Sequence, residues 1–334
     1  MLHVFDAVGS LWESFRGQKI FITGGTGFFG KWLLETLLFA NRRLDLGCRI
    51  TVLSRRPAAF VESNPHLSDP AWVSFVSGDV SDFLFPEDKF KFVIHAATDI
   101  IAPANAVDLF SSCVNGTKRV LDFAHKAGCK DFLLVSSGAV YGRQPENMET
   151  LPETYLGAPD TLNPKSAYGE SKRCSEWLTN ALGEFYGFDV KIARCFAFVG
   201  PHLHIDKHFA IGNFIHDALF NNEIVIQGDG TSYRSYLYTA DLTIWLWTIL
   251  LSGTSGVAYN VGGDEPVSMT ELAQRVIKIY GLHKEIKVLT PLDSTKKSDR
   301  YIPDLHKAES ELGLKCRINL DEAIHRTIRW NLKT

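Results

Sequence analysis

The chain has 334 residues, 45% hydrophobic and 22% charged, the balance of a globular protein with room for one large domain and a smaller one. A net charge of −3 over interspersed signs excludes a basic field for nucleic acid or anionic lipid. No apolar run approaches the roughly 20 residues that span a bilayer, so no membrane partner is expected. The N-terminus lacks a basic-then-apolar leader and the six cysteines form no CxxC pair, so a soluble, cytoplasmic protein is expected.

Along the first half, short apolar runs alternate with stretches of helical spacing. The runs lie at 19–23, 49–54, 73–76, 92–97, 132–137 and 190–194, rich in Val, Ile and Phe and nearly continuous. Continuous runs suit strands covered on both faces, as in a parallel sheet. After the first run, Phe29, Trp32, Leu33, Leu37 and Ala40 recur at helix spacing. Strand, helix, strand in repetition predicts a doubly wound sheet, because parallel strands need a crossover. Beyond Arg194, short elements alternate with loops rich in Gly, Pro and His at 200–208, 228–232 and 253–256. The apolar stretch 243–251 reads as a helix buried in the body or at a subunit contact. Ser268 and Glu271 read as a capping box opening a helix that carries Leu272, Val276 and Ile279. The expected division is 1–193 for the sheet domain and mainly 194–334 for a smaller one, with the chain crossing back between them.

The first run leads into Thr23-Gly24-Gly25-Thr26-Gly27-Phe28-Phe29-Gly30, between a strand and a helix. Gly24 allows the tight turn, Gly27 lets backbone approach a pyrophosphate, and Gly30 lets helix pack on sheet, with Thr26, Phe28 and Phe29 around the same site. The helix N-terminus offers N–H groups and a positive dipole end to phosphate. This context predicts an α/β fold: a Rossmann doubly wound parallel sheet with helices on both faces, plus a smaller C-terminal substrate-binding domain. The second run ends Leu53-Ser54-Arg55-Arg56. A carboxylate there would repel a 2′-phosphate whereas arginine forks around one, so the expected cofactor is NADP(H), with NAD the alternative. Asp79, followed by Val80, is placed for the adenine edge, and Ala96, Ala97 and Thr98 end the fourth run where the dinucleotide crosses.

Tyr168-Gly169-Glu170-Ser171-Lys172 sets a phenol and an ammonium one helical turn apart on one face. A free phenol, with a pKa of about 10, is too weakly acidic to serve as a base at neutral pH. A cation at Lys172, together with an oxidised nicotinamide, is expected to favour the phenolate and bring Tyr168 toward working pH. Ser137, within Ser136-Ser137-Gly138-Ala139-Val140-Tyr141-Gly142, ends the fifth run and points a hydroxyl into the same cleft.

The glycine turn, the SSGAVYG stretch, the YGESK helix and two downstream arginines together resemble the extended short-chain dehydrogenase/reductase family, and within it the nucleotide-sugar epimerases and dehydratases. The resemblance runs from about Lys19 to the C-terminal helix. It implies Ser137 as catalytic hydroxyl, Tyr168 as acid/base and Lys172 as its partner on the nicotinamide ribose. Asn115 completes the expected cofactor-lining set. Arg234, in Gln227-Gly228-Asp229-Gly230-Thr231-Ser232-Tyr233-Arg234, and Arg300, in Asp299-Arg300-Tyr301-Ile302-Pro303-Asp304, match the arginines that bind a sugar-nucleotide diphosphate. Two guanidiniums from separate loops would close on a pyrophosphate as a bidentate clamp.

Two positions depart from the family pattern. Dehydratases of the family carry an acidic pair, and decarboxylases a Ser-Glu pair, where this chain has Gly138 and Ala139. Ala197 stands where an asparagine usually meets the substrate. His202, His204 and His208 share a loop without Cys or Glu at ligand spacing, so no metal is expected. The helix over 107–127 and the one bearing Tyr168 have apolar outer positions that the resemblance links to a homodimer. The expected activity is hydride transfer at a carbinol or ketone, at C4 of a nucleotide-diphosphate sugar, by a 4-epimerase or 4-ketoreductase. The alternatives are a 4,6-dehydratase, a decarboxylase, or a non-catalytic dinucleotide-binding scaffold.

Overall fold

Ile20, Ile22, Ile50, Val52, Val93 and Ile94 are fully buried, so the runs that carry them become interior strands covered on both faces. The computed structural model describes every residue except 99–104, 207–208, 282, 294, 296 and 333–334. In chain order the elements are α1 (Leu2–Val8), β1 (Lys19–Thr23), α2 (Phe28–Leu44), β2 (Arg49–Ser54), α3 (Pro57–Ser63), β3 (Val73–Ser77), β4 (Phe92–His95), α4 (Ala106–Lys126), β5 (Asp131–Ser137), α5 (Ala167–Tyr186) and β6 (Asp189–Cys195). There follow β7 (Phe198–Val199), α6 (Ala210–Phe220), β8 (Glu223–Ile226), β9 (Tyr233–Ser235), β10 (Leu237–Tyr238), α7 (Thr239–Ser252), β11 (Val257–Val261), β12 (Pro266–Ser268), α8 (Met269–Tyr280), β13 (Glu285–Val288), β14 (Arg300–Tyr301), α9 (His306–Leu312) and α10 (Leu320–Asn331).

The chain forms two compact units. The first comprises Met1–Val140, Ala158–Cys195 and Thr243–Tyr259; the second comprises Tyr141–Gly157, Phe196–Leu242 and Asn260–Thr334. The sheet of the first runs β11-β6-β5-β4-β1-β2-β3. Its β1–β2, β2–β3, β1–β4, β4–β5 and β5–β6 ladders are all parallel. The winding reverses between β1 and β4, which opens a crevice at the carboxyl ends of those strands. Beneath it Phe21 packs on Phe123 at 4.5 Å and on Phe90 at 5.5 Å between ring centroids.

The stretch 243–251 is buried as α7, and no helix among the described residues is long and apolar enough to cross a membrane. Trp247 on α7 meets Trp12 and Phe15, from the segment before β1, at 5.7 and 5.2 Å. Its indole N–H donates to Thr36 Oγ1 on α2 at 3.0 Å.

The second unit is built from small sheets, β7–β10, β12-β9-β14 and β8–β13. The capping box forms at α8, where Ser268 Oγ accepts from Glu271 N and Glu271 accepts from Ser268 N. Asn260 fastens the excursion 141–157 into this unit. Its Oδ1 accepts from the Tyr141 hydroxyl at 2.7 Å, and its Nδ2 donates to Leu151 O at 2.7 Å and Asp304 O at 3.1 Å.

Trp247 is fully buried, so truncation leaves a cavity and removes one donor to Thr36 Oγ1, which still donates to Trp32 O. Trp247→Ala should cost about 3–5 kcal/mol, read as a lower urea midpoint at an unchanged slope. A loss under about 1 kcal/mol would mean that the helix is held by something other than this contact.

Candidate active site

The crevice is shaped by glycine where side chains would collide. Gly24 has φ +71°, and a Cβ on it would sit 2.6 Å from the carbonyl of Ala96. A Cβ on Gly30 would run into the Gly24 carbonyl. The turn, the end of β4 and the first turn of α2 therefore meet backbone to backbone. Helix α2 starts from Gly27 with no side-chain cap, leaving its dipole end to an outside anion. This cradle fits the pyrophosphate of a dinucleotide. Thr26, Phe28 and Phe29 border it partly exposed, the two rings 5.5 Å apart.

Thr23 braces the turn from beneath. Its Oγ1 accepts from Ala97 N at 3.2 Å and lies 2.7 Å from His95 Nδ1, while His95 Nε2 lies 3.1 Å from Thr117 Oγ1. Thr117 donates its own proton to Cys113 O, so His95 donates from Nε2 and accepts from Thr23 at Nδ1. Burial, helped by the charge of Lys172, pushes His95 down to about 3 and keeps it neutral.

At the end of β2, Ser54 is buried and its Oγ accepts from Arg56 N at 3.2 Å, while Arg55 and Arg56 are exposed. Asp79 is partly buried, and its Oδ1 already accepts from Ser81 N and Oγ at 3.0 and 2.7 Å. Val80 packs against Gly116 of α4, and Asn115 is exposed on the same helix.

Ser137, Tyr168 and Lys172 come together as the spacing predicts. A Cβ on Gly169 would lie 2.7 Å from Ala139 O, so glycine lets α5 press against the turn that follows β5. Tyr168 hydrogen-bonds with Ser137. Lys172, 4% exposed, donates to Val135 O at 2.9 Å and to Thr98 Oγ1 at 2.7 Å. Burial lowers its pKa, while Cys113, Cys195 and Glu176 oppose that shift.

Without a dinucleotide, withdrawal from water pushes the Tyr168 phenol up to about 12, with Cys113 and Cys195 adding to the rise. The opposing pull comes from Ser137, as expected of a hydroxyl donating to the phenol oxygen. The ammonium is turned toward Val135 O and Thr98 Oγ1.

A buried network that the motifs did not signal lies beside this set. Ser136 Oγ donates to Glu176 Oε1 at 2.6 Å, and Arg194 Nη2 donates to Glu176 Oε2 at 2.7 Å. The available signal was modest: Ser136 adjoins Ser137, and Glu176 lies one turn beyond Lys172.

The two arginines lie in the second unit, on adjacent strands rather than separate loops. Strand β14 pairs with β9 in parallel, Arg300 opposite Tyr233 and Tyr301 opposite Arg234. Neighbouring residues of a strand face opposite ways, so the guanidiniums leave the sheet on different faces. Arg234 lies over the Tyr301 ring at 5.6 Å and donates to Asp299 Oδ2 at 2.9 Å; Arg300 lies over the Tyr233 ring at 4.9 Å. The Nε of Arg300 is buried without a hydrogen-bond partner. Ala197 is partly buried and its carbonyl accepts from Leu237 N at 3.0 Å. His202 meets the Trp330 ring edge-on at 4.9 Å, His204 is exposed, and His208 lies outside the described residues. No cluster of metal-ligating residues occurs among the described residues.

Comparison with known proteins places this geometry. Residues 20–262 match the model of the NAD dependent epimerase/dehydratase family. The chain is 30% identical over 324 residues to a dTDP-glucose 4,6-dehydratase of Streptomyces antibioticus, covering 94% of this chain and 92% of the relative. It is 29% identical over 315 residues to UDP-glucuronic acid decarboxylase 6 of Arabidopsis thaliana, covering 92% and 87%. Among solved structures it resembles DesIV, a dTDP-glucose 4,6-dehydratase from Streptomyces venezuelae with NAD bound. That match has 26% identity and a TM-score of 0.80 over 95% of this chain and 97% of the other.

The raised phenol makes a direct prediction. In the protein without dinucleotide, subtracting the 295 nm spectrum of Tyr168→Phe from that of the parent should leave no phenolate signal up to about pH 10. A phenolate difference appearing near pH 8 would show that Tyr168 is not desolvated as described.

Proposed function

The chain belongs to the NAD dependent epimerase/dehydratase family of extended short-chain dehydrogenase/reductase enzymes, and from that premise we propose that it transfers a hydride at C4 of a nucleotide-diphosphate sugar without elimination or decarboxylation, as a 4-epimerase or a 4-ketoreductase. The observation that carries this reading is the pair Gly138 and Ala139 directly after Ser137. Eliminating water needs a base and an acid beyond the tyrosine, and neither residue moves a proton. What remains, a serine, a tyrosine and a lysine, suffices for carbinol–ketone interconversion.

In this reading Ser137 holds the reacting oxygen by hydrogen bond, and Tyr168 takes its proton or returns one. Lys172 donates to the ribose of the cofactor. The turn from Gly24 to Gly30 holds the pyrophosphate, and Ala96, Ala97 and Thr98 line the crossing point. When bound, the nicotinamide supplies or accepts the hydride. Its positive charge in the oxidised form is the added influence that would lower the Tyr168 phenol from about 12. We assign Asp79, Val80 and Asn115 to the adenosine side. Arg55, with Ser54 and Arg56, supports NADP(H) over NAD(H), since no acid ends β2. The related DesIV structure holds NAD.

We assign Arg234 and Arg300 to the diphosphate; the buried, unpartnered Nε of Arg300 is a donor suited to a phosphate oxygen. Exposed Val107 on α4 and Trp177 and Phe185 on α5 support a homodimer formed through these helices. A cytoplasmic location follows from the cysteine usage.

Incubated with NADPH or NADP⁺ and UDP-, dTDP-, GDP- and CDP-hexoses or their 4-keto forms, the protein should epimerise or reduce at C4 and release no 4-keto-6-deoxy product from a plain hexose. A dehydrated or decarboxylated product at a useful rate would overturn the reading. On the accepted substrate Tyr168→Phe should lower turnover by roughly 10²–10⁴ with cofactor still bound. Parental turnover in that variant would mean another group moves the proton. No turnover on any sugar, with tight dinucleotide binding, would favour the scaffold alternative.

Arg55→Ala should weaken NADPH roughly tenfold or more and leave NADH unchanged, since a charge-assisted phosphate contact is worth about 1.5–3 kcal/mol. Equal affinity of the parent for NADH and NADPH in titration calorimetry would remove the case for NADP(H).

A further inference from the structure

The steps above leave one buried carboxylate of the first unit without a task. Glu176 is 8% exposed, on α5 one helical turn beyond Lys172, and groups from two strands converge on it. Ser136, the neighbour of Ser137 on β5, donates to Oε1 at 2.6 Å. Arg194, near the end of β6, donates from Nη2 to Oε2 at 2.7 Å, and from Nε to Oε1 and Oε2 at 3.1 and 3.2 Å. One carboxylate thus joins β5, β6 and α5 directly beneath Ser137, Tyr168 and Lys172.

Stability alone does not call for such a group. A buried ion pair is costly to desolvate, and well-packed apolar residues in its place are often as stable. Its use lies with its neighbour. Lys172 is a buried ammonium whose hydrogen-bond partners, Val135 O and Thr98 Oγ1, carry no net charge. The titratable groups that act on it or that it acts on are Cys113 from α4, Cys195 from β6, His95 from β4 and Glu176 from α5, with Tyr168 one turn away. Burial holds Cys195 and Tyr168 up to about 12 and His95 down to about 3, so these three are neutral at working pH. Among the described residues, Glu176 is the carboxylate that favours the charged form of Lys172.

We infer that Glu176 is a positioning residue of the hydride-transfer site: it ties the strand end beside Ser137 to the helix of Tyr168 and Lys172, and it supplies the fixed negative charge that balances the buried Lys172 ammonium. This rests on the reading of Lys172 as a cofactor-binding residue. Arg194 holds the carboxylate in place through a bidentate fork, and Ser136 carries its position to the strand. Removing the charge of Glu176 lets burial win further at Lys172, so the lysine loses its proton at a lower pH. The alkaline loss of cofactor affinity then begins earlier.

The test follows NADPH affinity by nicotinamide fluorescence from about pH 7 to pH 10.5. The parent should lose affinity at the alkaline end, and Lys172→Met should bind weakly with no such step. In Glu176→Gln the step should move down by about one pH unit, a shift worth a tenfold change in the protonation equilibrium. A purely structural role would lower affinity evenly across the range and leave the step in place. If Glu176→Gln does not fold with Arg194 uncompensated, Arg194→Met is the second variant: it removes the cation that offsets the carboxylate, and its step should move up instead. A step at the parental pH in whichever of these variants folds, with Lys172→Met lacking the step, overturns the role of Glu176. Persistence of the step in Lys172→Met overturns the cofactor reading of Lys172, and this inference with it.

Discussion

A buried ammonium needs acceptors that do not move, and Lys172 imposes that requirement on everything around it. Its partners come from the ends of two neighbouring strands, the Val135 carbonyl of β5 and the Thr98 hydroxyl just past β4. Strands β4 and β5 run in parallel register up to His95 and Leu134, and the two acceptors lie just beyond those paired ends. Helix α5 seats Lys172 against both, with Tyr168 one turn earlier on the same helix. Gly169 makes the seat reachable, since a side chain there would strike Ala139 O.

The parts of this arrangement that are local in sequence were legible in it. Strands β1 and β2 coincide with apolar runs because both faces of each strand are buried, and the glycine turn was readable because no other residue fits its backbone. The set Ser137, Tyr168 and Lys172 was recognisable from the helical spacing of Tyr168 and Lys172, the serine at the strand end and the family resemblance together. What escaped depends on distant contact. Strand β11, Val-Ala-Tyr-Asn-Val, has only a short apolar signature and joins the sheet next to β6 from far along the chain. Glu176 looks like one more charge on an amphipathic helix until Arg194 and Ser136 close on it. Helical spacing likewise reports that Tyr168 and Lys172 share a face, not that the lysine tip is turned to Val135 O and Thr98 Oγ1.

In the proposed role, a phenol held near 12, with Ser137 opposing the rise, is a proton donor at rest, suited to a ketone. Acting as a base instead would require a further positive influence, which a bound oxidised nicotinamide would supply. Proton abstraction would then be coupled to occupancy of the crevice. Glu176 fits the same logic from the other side. It protects the charge on Lys172 without reaching the phenol, so cofactor anchoring and proton transfer are tuned by different neighbours.

The second unit uses a contrasting solution for its cations. Arg234 and Arg300 stand on strands of three and two residues, too short to surround a guanidinium with fixed carbonyls as the large sheet does for Lys172. Each is instead laid across the tyrosine opposite it on the neighbouring strand, a pair of cation–ring contacts that restrains both side chains. Arg234 also has Asp299, whereas the buried Nε of Arg300 has no acceptor, and an unmade bond of that kind costs about 1–3 kcal/mol or more. A fold keeps such a donor where an incoming acceptor repays it. The register that separates the two guanidiniums onto different faces then matters for recognition: they are not equivalent arms of one clamp. On the proposed assignment to a diphosphate, Arg300 would offer a donor already withdrawn from water, while Arg234 would exchange the Asp299 carboxylate for phosphate.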